Sequence, residues 1–371
     1  MTGNRAIDRT PLLTGDLAER ATAAVRDVAH ELEARAPALL DEMPPARQAS
    51  LAGGATGIAL FFAYLAEATG EDRWADLAAE HLDRASEVLA STVTTPGLFT
   101  GFAGVAWVGE HLTGRLFEAD DEEDGNEGVD QALSDWLGRT PWRQDYDLIL
   151  GIAGAGVYAV ERLPRPSAVA CLETVVRRLS ELALDKDGGL AWHTAPELLP
   201  EFQRQAYPEG YLNIGVAHGI PGLLPVLAAA TAAGVSAGEA RRLLEGAVRF
   251  LLGHRIDPEA GRHFPYQVSD VVVEESEGAR SRATRSAWCY GDPGVAAALW
   301  AAARKVGEGG WAAEALRVAL DAARVPVEAS GVQDAGLCHG GAGLAHVYPR
   351  LYRESGEPAL ADAARLWIER T

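Results

Sequence analysis

Gly336-Leu337-Cys338-His339-Gly340-Gly341-Ala342-Gly343 sets a thiol and an imidazole side by side, just ahead of a Gly-x-x-Gly turn and an apolar run. Forty-nine residues earlier the chain reads Arg285-Ser286-Ala287-Trp288-Cys289-Tyr290-Gly291-Asp292-Pro293-Gly294. Aligned on Gly-x-x-Gly, Cys289 and Cys338 both fall two residues before the first glycine, and His339 falls one before it. Two thiolates and an imidazole are what a protein supplies to a zinc ion whose fourth position stays open for chemistry. Cys289, Cys338 and His339 are therefore the expected ligands of Zn2+.

The same turn recurs. Gly54-Ala55-Thr56-Gly57, Gly101-Phe102-Ala103-Gly104, Gly151-Ile152-Ala153-Gly154, Gly219-Ile220-Pro221-Gly222, Gly291-Asp292-Pro293-Gly294 and Gly340-Gly341-Ala342-Gly343 each open an apolar segment. Their first glycines are 47, 50, 68, 72 and 49 residues apart. One such turn means little in a chain with 40 glycines, but six in register mark an internal repeat. The segments behind the turns, such as Leu223–Ala233 and Val295–Ala303, carry almost no charge, as buried helices do. Charged amphipathic helices are expected between them, near 71–90, 166–184, 237–253, 311–324 and 357–370. Inner apolar helices alternating with outer amphipathic ones predict an all-α fold. Its form is an α/α toroid, a double ring of six to seven hairpins within one domain spanning 1–371. An open helical solenoid is the other arrangement such a repeat allows. The glycines let the chain turn sharply and let inner helices approach closely.

Composition bounds the function. The formal charge is −20, so the surface repels nucleic acid and anionic lipid. No apolar run reaches the length of a membrane span, and the start has no apolar signal core, so a cytoplasmic protein is the default expectation. Three cysteines, Cys171, Cys289 and Cys338, are too few for a disulfide framework. Cys171 sits on an alanine- and leucine-rich helix face and reads as a small core residue.

Outside the repeat, residues 1–14 are polar and expected to be loose. A helix is expected from Gly15 to Arg35 with Leu17, Ala21, Val25, Val28 and Leu32 on one stripe, broken at Pro37 and Pro44-Pro45. Residues 117–129 read as a mobile acidic loop; Glu118, Asp120, Asp121, Glu122, Glu123, Asp124 and Glu127 cannot all be paired with one another. A short helix is expected near Gln131–Leu137. Two longer connections, 187–212 and 257–285, hold short β-prone insertions such as Phe264–Val268 and Val271–Val273.

Equivalent repeat positions share one end of the fold. His218 precedes Gly219 as His339 precedes Gly340, so it is expected beside Cys289, Cys338 and His339. Each of these residues taken alone has a plainer structural reading, and their shared register favours the functional one. A site with two protein thiolates acidifies bound water only modestly, and it suits delivery of a sulfur nucleophile better than hydrolysis. Such an addition needs a proton donor and acceptor, a part His218 can fill. Asp147 can orient it, and Arg285 can stabilise an enolate-like oxygen.

Trp288-Cys289-Tyr290-Gly291, Gly336-Leu337-Cys338-His339-Gly340-Gly341-Ala342-Gly343 and Ala217-His218-Gly219 resemble the lanthionine synthetase C family, the lanthipeptide cyclases. The resemblance runs from Gly54 to the C-terminus. It implies an α/α toroid carrying zinc, held here by Cys289, Cys338 and His339. It implies an acid/base role for His218, with Asp147, Arg285 and Tyr290 as companions. The implied reaction adds a peptide cysteine to a dehydroalanine or dehydrobutyrine of the same precursor, closing a thioether ring of a lantibiotic-type peptide. The implied partners are a dehydrated precursor peptide with its leader, a separate dehydratase and an exporter; nucleic acid and a membrane span are not among them.

The pattern departs from the family in two ways. Seven hairpins are expected and six Gly-x-x-Gly turns are present. An extra subdomain known after the second repeat has no counterpart here beyond the acidic loop and the short helix. With the repeat starting at residue 54, the chain resembles stand-alone class I cyclases. The competing functions are a non-catalytic family member that binds zinc and a thiol such as glutathione, and a prenyltransferase-type thiol alkyltransferase. A toroidal glycoside hydrolase would need paired carboxylates, with Asp147 and Asp292 the candidates, and gives no reason for Cys-His.

Overall fold

The computed structural model describes residues 11–117, 124–256, 262–269 and 284–371. The expected loose segment at 1–14 lies outside them up to residue 10, and the β-prone run Val271–Val273 lies wholly outside. Fifteen α-helices occur among the described residues. They are α1 Gly15–Asp41, α2 Pro45–Gln48, α3 Ala55–Thr69, α4 Asp72–Ser91, α5 Phe102–Leu112, α6 Glu127–Leu137, α7 Ile152–Glu161 and α8 Pro166–Leu182, then α9 Glu201–Ala206, α10 Leu223–Ala233, α11 Ala237–Gly253, α12 Asp292–Val306, α13 Gly309–Ala323, α14 Gly341–Ser355 and α15 Pro358–Arg370. Five short strands accompany them: β1 Leu184–Lys186, β2 Gly189–Ala191, β3 His193–Thr194, β4 Tyr211–Asn213 and β5 Gln267–Val268. β1 and β2 form a hairpin, and β3, β4 and β5 form an antiparallel sheet in that order.

The contacts divide the chain into two compact units. One holds Ala24–Glu181 with Ala233–Ser236; the other holds Leu182–Ala232 and Ala237–Thr371 with the chain up to Ala23.

Every Gly-x-x-Gly turn precedes or opens an apolar helix, and the reason for its glycines is visible. A methyl group on Gly54, Gly101, Gly151, Gly219, Gly291 or Gly340 would overlap the backbone carbonyl oxygen six residues earlier. The second glycines Gly57, Gly104, Gly154, Gly294 and Gly343 meet their own carbonyls at the same offset. The loop before each helix therefore folds back over the helix start, and only a residue without a Cβ fits beneath it. The close approach is between loop and helix start, rather than chiefly between neighbouring helices as the sequence suggests. Gly291 alone among the first glycines also needs a positive φ, +156°.

The loops are also joined to one another, within each unit, at the position two residues before the first glycine. Ala52 N–H donates to the Phe99 carbonyl at 2.9 Å, and Phe99 N–H to Ile149 at 3.4 Å. In the other unit Ala217 N–H donates to Cys289 at 3.3 Å, and Cys289 N–H to Cys338 at 3.1 Å.

In the first unit, Phe62 of α3 stacks on Trp74 at 5.6 Å and on His81 at 5.8 Å, both from α4. A second tier ties three repeats together. Tyr64, His111 and Glu161 each lie seven residues past the second glycine of their turn, on α3, α5 and α7. His111 Nε2 meets the Tyr64 hydroxyl at 2.7 Å and Nδ1 meets Glu161 Oε1 at 2.9 Å. Its ring stacks on Trp107 at 4.7 Å.

Two expectations are corrected. α1 runs through Pro37 to Asp41, and it buries Ala29, Ala36 and Leu40, whereas Val25 and Val28 are exposed. Proline inside a helix costs about 3 kcal/mol. Leu40 packs with Ala49, Ala55, Ala85 and Val105, and that burial works against the loss. The acidic stretch expected as a loop is not all loop either, and part of it is anchored. Asp124 pairs with the buried Arg162 guanidinium at 2.6 Å, beside Glu110 at 2.7 Å and Asp130 at 2.8 Å. Glu127 opens α6, which begins earlier than the expected Gln131. Glu118–Glu123 lie outside the described residues.

Candidate metal centre

The ligand atoms of Cys289, Cys338 and His339 lie within 4.8 Å of one another. Among the described residues this is the one group of three or more Cys, His, Asp or Glu side chains close enough to share an ion. Cys289 is buried and Cys338 is exposed, so the group sits at the border between core and solvent. The backbone bond from Cys289 to Cys338 sets the two loops side by side. Cys171, on α8, is buried, as a small core residue would be, and burial pushes its thiol up to about 12, with the charge of Asp130 adding to the effect.

The two thiols differ in acidity. The Cys289 thiol donates to Cys338, which pulls Cys338 down to about 6; a hydrogen bond to His339 and the charges of His339 and His218 add to the effect. Cys289 is raised by that same hydrogen bond and then by burial. Two cysteine sulfurs grouped with an imidazole are the donor set of a soft divalent cation, and the residues fit zinc.

Asp334 supports His339. Its Oδ2 lies 3.4 Å from His339 Nε2, and its Oδ1 accepts from Gly336 N–H at 2.7 Å. A carboxylate behind a ligating histidine fixes ring orientation and tautomer.

His218 is half-buried, and its ring stacks near Tyr290 at 6.4 Å between centroids. The Tyr290 hydroxyl accepts from Asn213 Nδ2 at 2.8 Å, and the Tyr266 ring lies 5.7 Å from Tyr290. Arg285 is exposed; its N–H donates to the Tyr266 hydroxyl at 3.3 Å, and its positive charge favours the Cys289 thiolate. Thus His218, Tyr290 and Arg285 belong to the unit that holds the three ligands. Asp147 belongs to the other unit. It is buried, and its Oδ1 accepts from Leu150 N–H at 2.7 Å and Gly151 N–H at 3.0 Å, closing the turn before α7.

Asp292 opens α12 and is buried. Its carboxylate accepts from His263 N–H at 2.7 Å and Phe264 N–H at 3.2 Å, anchoring the segment that carries Tyr266. Burial pushes its carboxyl up to about 7 against the pull of those amides.

Sequence reasoning missed Asn213 and Asp334. Both stand six residues before the first glycine of their turn, and both read Asx-x-Gly. Each bonds the N–H two residues on, the Asx-turn such a spelling favours. The register that located the cysteines would have found them.

A sequence profile of the family described as "Lanthionine synthetase C-like protein" matches residues 45–371. "Nisin biosynthesis protein NisC" of Lactococcus lactis subsp. lactis is 27% identical over 269 residues, or 66% of this chain and 60% of that protein. The alignment thus spans less than two thirds of that relative's length. A solved structure titled "Nisin cyclase" superposes with a TM-score of 0.75 at 19% identity, covering 94% of this chain and 86% of that one. This likeness shows the fold, which is of the α/α-toroid class. With the family profile running from residue 45 to residue 371, the chain belongs to the lanthionine synthetase C-like proteins.

Proposed function

We propose that this protein is a zinc-dependent lanthipeptide cyclase. It adds cysteine thiols of a dehydrated precursor peptide to dehydroalanine or dehydrobutyrine residues of the same peptide. The observation that carries the reading is the approach of the Cys289, Cys338 and His339 ligand atoms within 4.8 Å, beside His218 and Tyr290.

Cys289, Cys338 and His339 would hold the ion, with Asp334 behind His339. Bound there, zinc would favour the thiolate form of a cysteine at neutral pH. His218 takes the thiol proton and returns one to the α-carbon, so that an S–Cβ bond forms, the Cα=Cβ π bond is lost and no mass changes. Arg285 offers its exposed guanidinium to the carbonyl oxygen on which charge develops. Asp147 is proposed as a companion on family resemblance alone. A leader-bearing precursor, a separate dehydratase and an exporter are the proposed partners.

The test is mass spectrometry of a dehydrated candidate precursor, alkylated at its thiols, with and without the protein. Ring closure is expected to remove alkylatable thiols. Complete alkylation in both samples, with zinc bound to the protein, would favour instead a member that binds a thiol without catalysis.

A further inference from the structure

Tyr64, His111 and Glu161 set a phenol, an imidazole and a carboxylate in a chain, all within the unit that holds Ala24–Glu181. Glu161 Oε1 lies 2.9 Å from His111 Nδ1, and the Tyr64 hydroxyl lies 2.7 Å from His111 Nε2. A carboxylate can only accept, so Nδ1 carries the ring hydrogen. In the neutral imidazole Nε2 is then an acceptor, and the phenol donates to it. The Tyr64 proton is thus aimed at a base, and the phenol oxygen keeps its lone pairs for another contact.

The members differ in exposure. The His111 side chain is 11% exposed, whereas Tyr64 is 46% exposed. The imidazole is also held from its face, since the Trp107 ring stacks on it with 14° between the planes. A sheltered, fixed base therefore stands behind a phenol that solvent reaches. Tyr64 further lines a cavity of about 160 Å³ together with Ala63, Ala66, Leu112 and Leu116. Glu67, Glu71 and Asp72 share that lining with Arg115. The apolar wall suits a short acyl chain, and three carboxylates against one guanidinium disfavour an anionic donor.

We propose that Tyr64 is a nucleophile, activated by His111 and Glu161, that takes acyl groups from small uncharged esters. A nucleophile bonded to a base, with the base oriented by a third group, is the arrangement that covalent catalysis uses. The phenol oxygen attacks the ester carbonyl carbon. An O–C bond to Tyr64 forms and the C–O bond to the alcohol breaks. The phenol proton passes to His111 Nε2 and from there to the departing alcohol. Water, giving a proton to the same imidazole, then attacks the tyrosyl ester, releases the acid and restores the phenol. Neither the zinc centre nor the cyclase reading enters this proposal.

The probe is p-nitrophenyl acetate with the full-length protein. A burst of about one p-nitrophenolate per chain is expected, and peptide mapping of the quenched sample should place the acetyl group on Tyr64. Tyr64 should react about 10²-fold faster than N-acetyltyrosine amide in the same buffer. Tyr64→Phe should remove the burst. His111→Gln keeps a hydrogen-bonding group without a base and should lose the 10²-fold gain, and Glu161→Gln should lose part of it, with melting midpoints taken beside the rates. A phenol held for packing alone would react more slowly than the free reference, because its ring is partly covered. That outcome in the wild type would overturn the proposal whether or not the variants fold. Acetyl groups found only on other residues, or a folded His111→Gln that acetylates Tyr64 at the wild-type rate, would overturn it too.

Discussion

The backbone amide of Cys289 donates to the carbonyl of Cys338 at 3.1 Å, although 49 residues separate them. This bond belongs to the loop-to-loop series that also joins Ala217 to Cys289. The separation of the two thiols is thus fixed by backbone pairing between repeats, before any ion is bound. Purified protein is expected to hold about one zinc per chain. Cys289→Ala and Cys338→Ala should each lose most of it, as read by elemental mass spectrometry, while the far-ultraviolet circular dichroism stays close to wild type. Full zinc retention in both variants would remove the site assignment.

His218→Asn is expected to keep its zinc and its melting midpoint and to lose about 10²–10⁴-fold in cyclisation. Single-turnover assays beside metal analysis check this. Zinc lost in step with activity would make His218 a ligand.

The turn glycines give a paired test of stability. Gly101→Ala places a methyl group on the Thr95 carbonyl and should cost about 3 kcal/mol or more. Gly109→Ala, inside α5 with nothing within 4 Å of the new methyl, should stabilise by about 0.5–1 kcal/mol. Chemical denaturation of both variants measures the contrast; equal effects would mean that the loop, rather than the glycine, gives way.

Asp292 predicts a pH dependence. Its folded carboxyl titrates at about 7, above the ordinary 3.8, so between these values the native state binds more protons than the unfolded chain. Its contribution therefore lowers stability as pH rises through that window, and the decline levels off above about 7. Asn at this position keeps one acceptor for the His263 and Phe264 amides and loses stability by an amount that does not vary with pH. Urea unfolding at about pH 5.5 and pH 8 should show a smaller decline for Asp292→Asn than for wild type. An identical decline would place the titrating group elsewhere.

The helical repeat was legible because a missing Cβ leaves a mark in sequence wherever a backbone passes close by. Cys289, Cys338 and His339 were legible because they keep fixed offsets from those glycines. The same register held Asn213 and Asp334, which chemistry-led reading passes over, since neither is a nucleophile or a metal ligand in this pattern. Pro37 was misread because a local rule for proline says nothing of the packing that Leu40 finds with Ala49 and Ala85. Asp124 was misread because its partner, Arg162, lies 38 residues away and is buried. The chain Tyr64–His111–Glu161 stayed hidden because its tier carries three different residue types, so no repeated letter announces it.

That tier limits where the protein can change length. Tyr64, His111 and Glu161 meet because each of α3, α5 and α7 counts the same seven residues from the second glycine of its turn. One residue inserted between Gly104 and His111 would swing the imidazole about 100° around α5 and part it from both neighbours. The connections carry no such count, and the intervals of 47, 50, 68, 72 and 49 residues between turns show where length has varied. Sequence grafted onto this scaffold, whether a tag, a docking peptide or another enzyme's insertion, belongs in those connections and not in the inner helices.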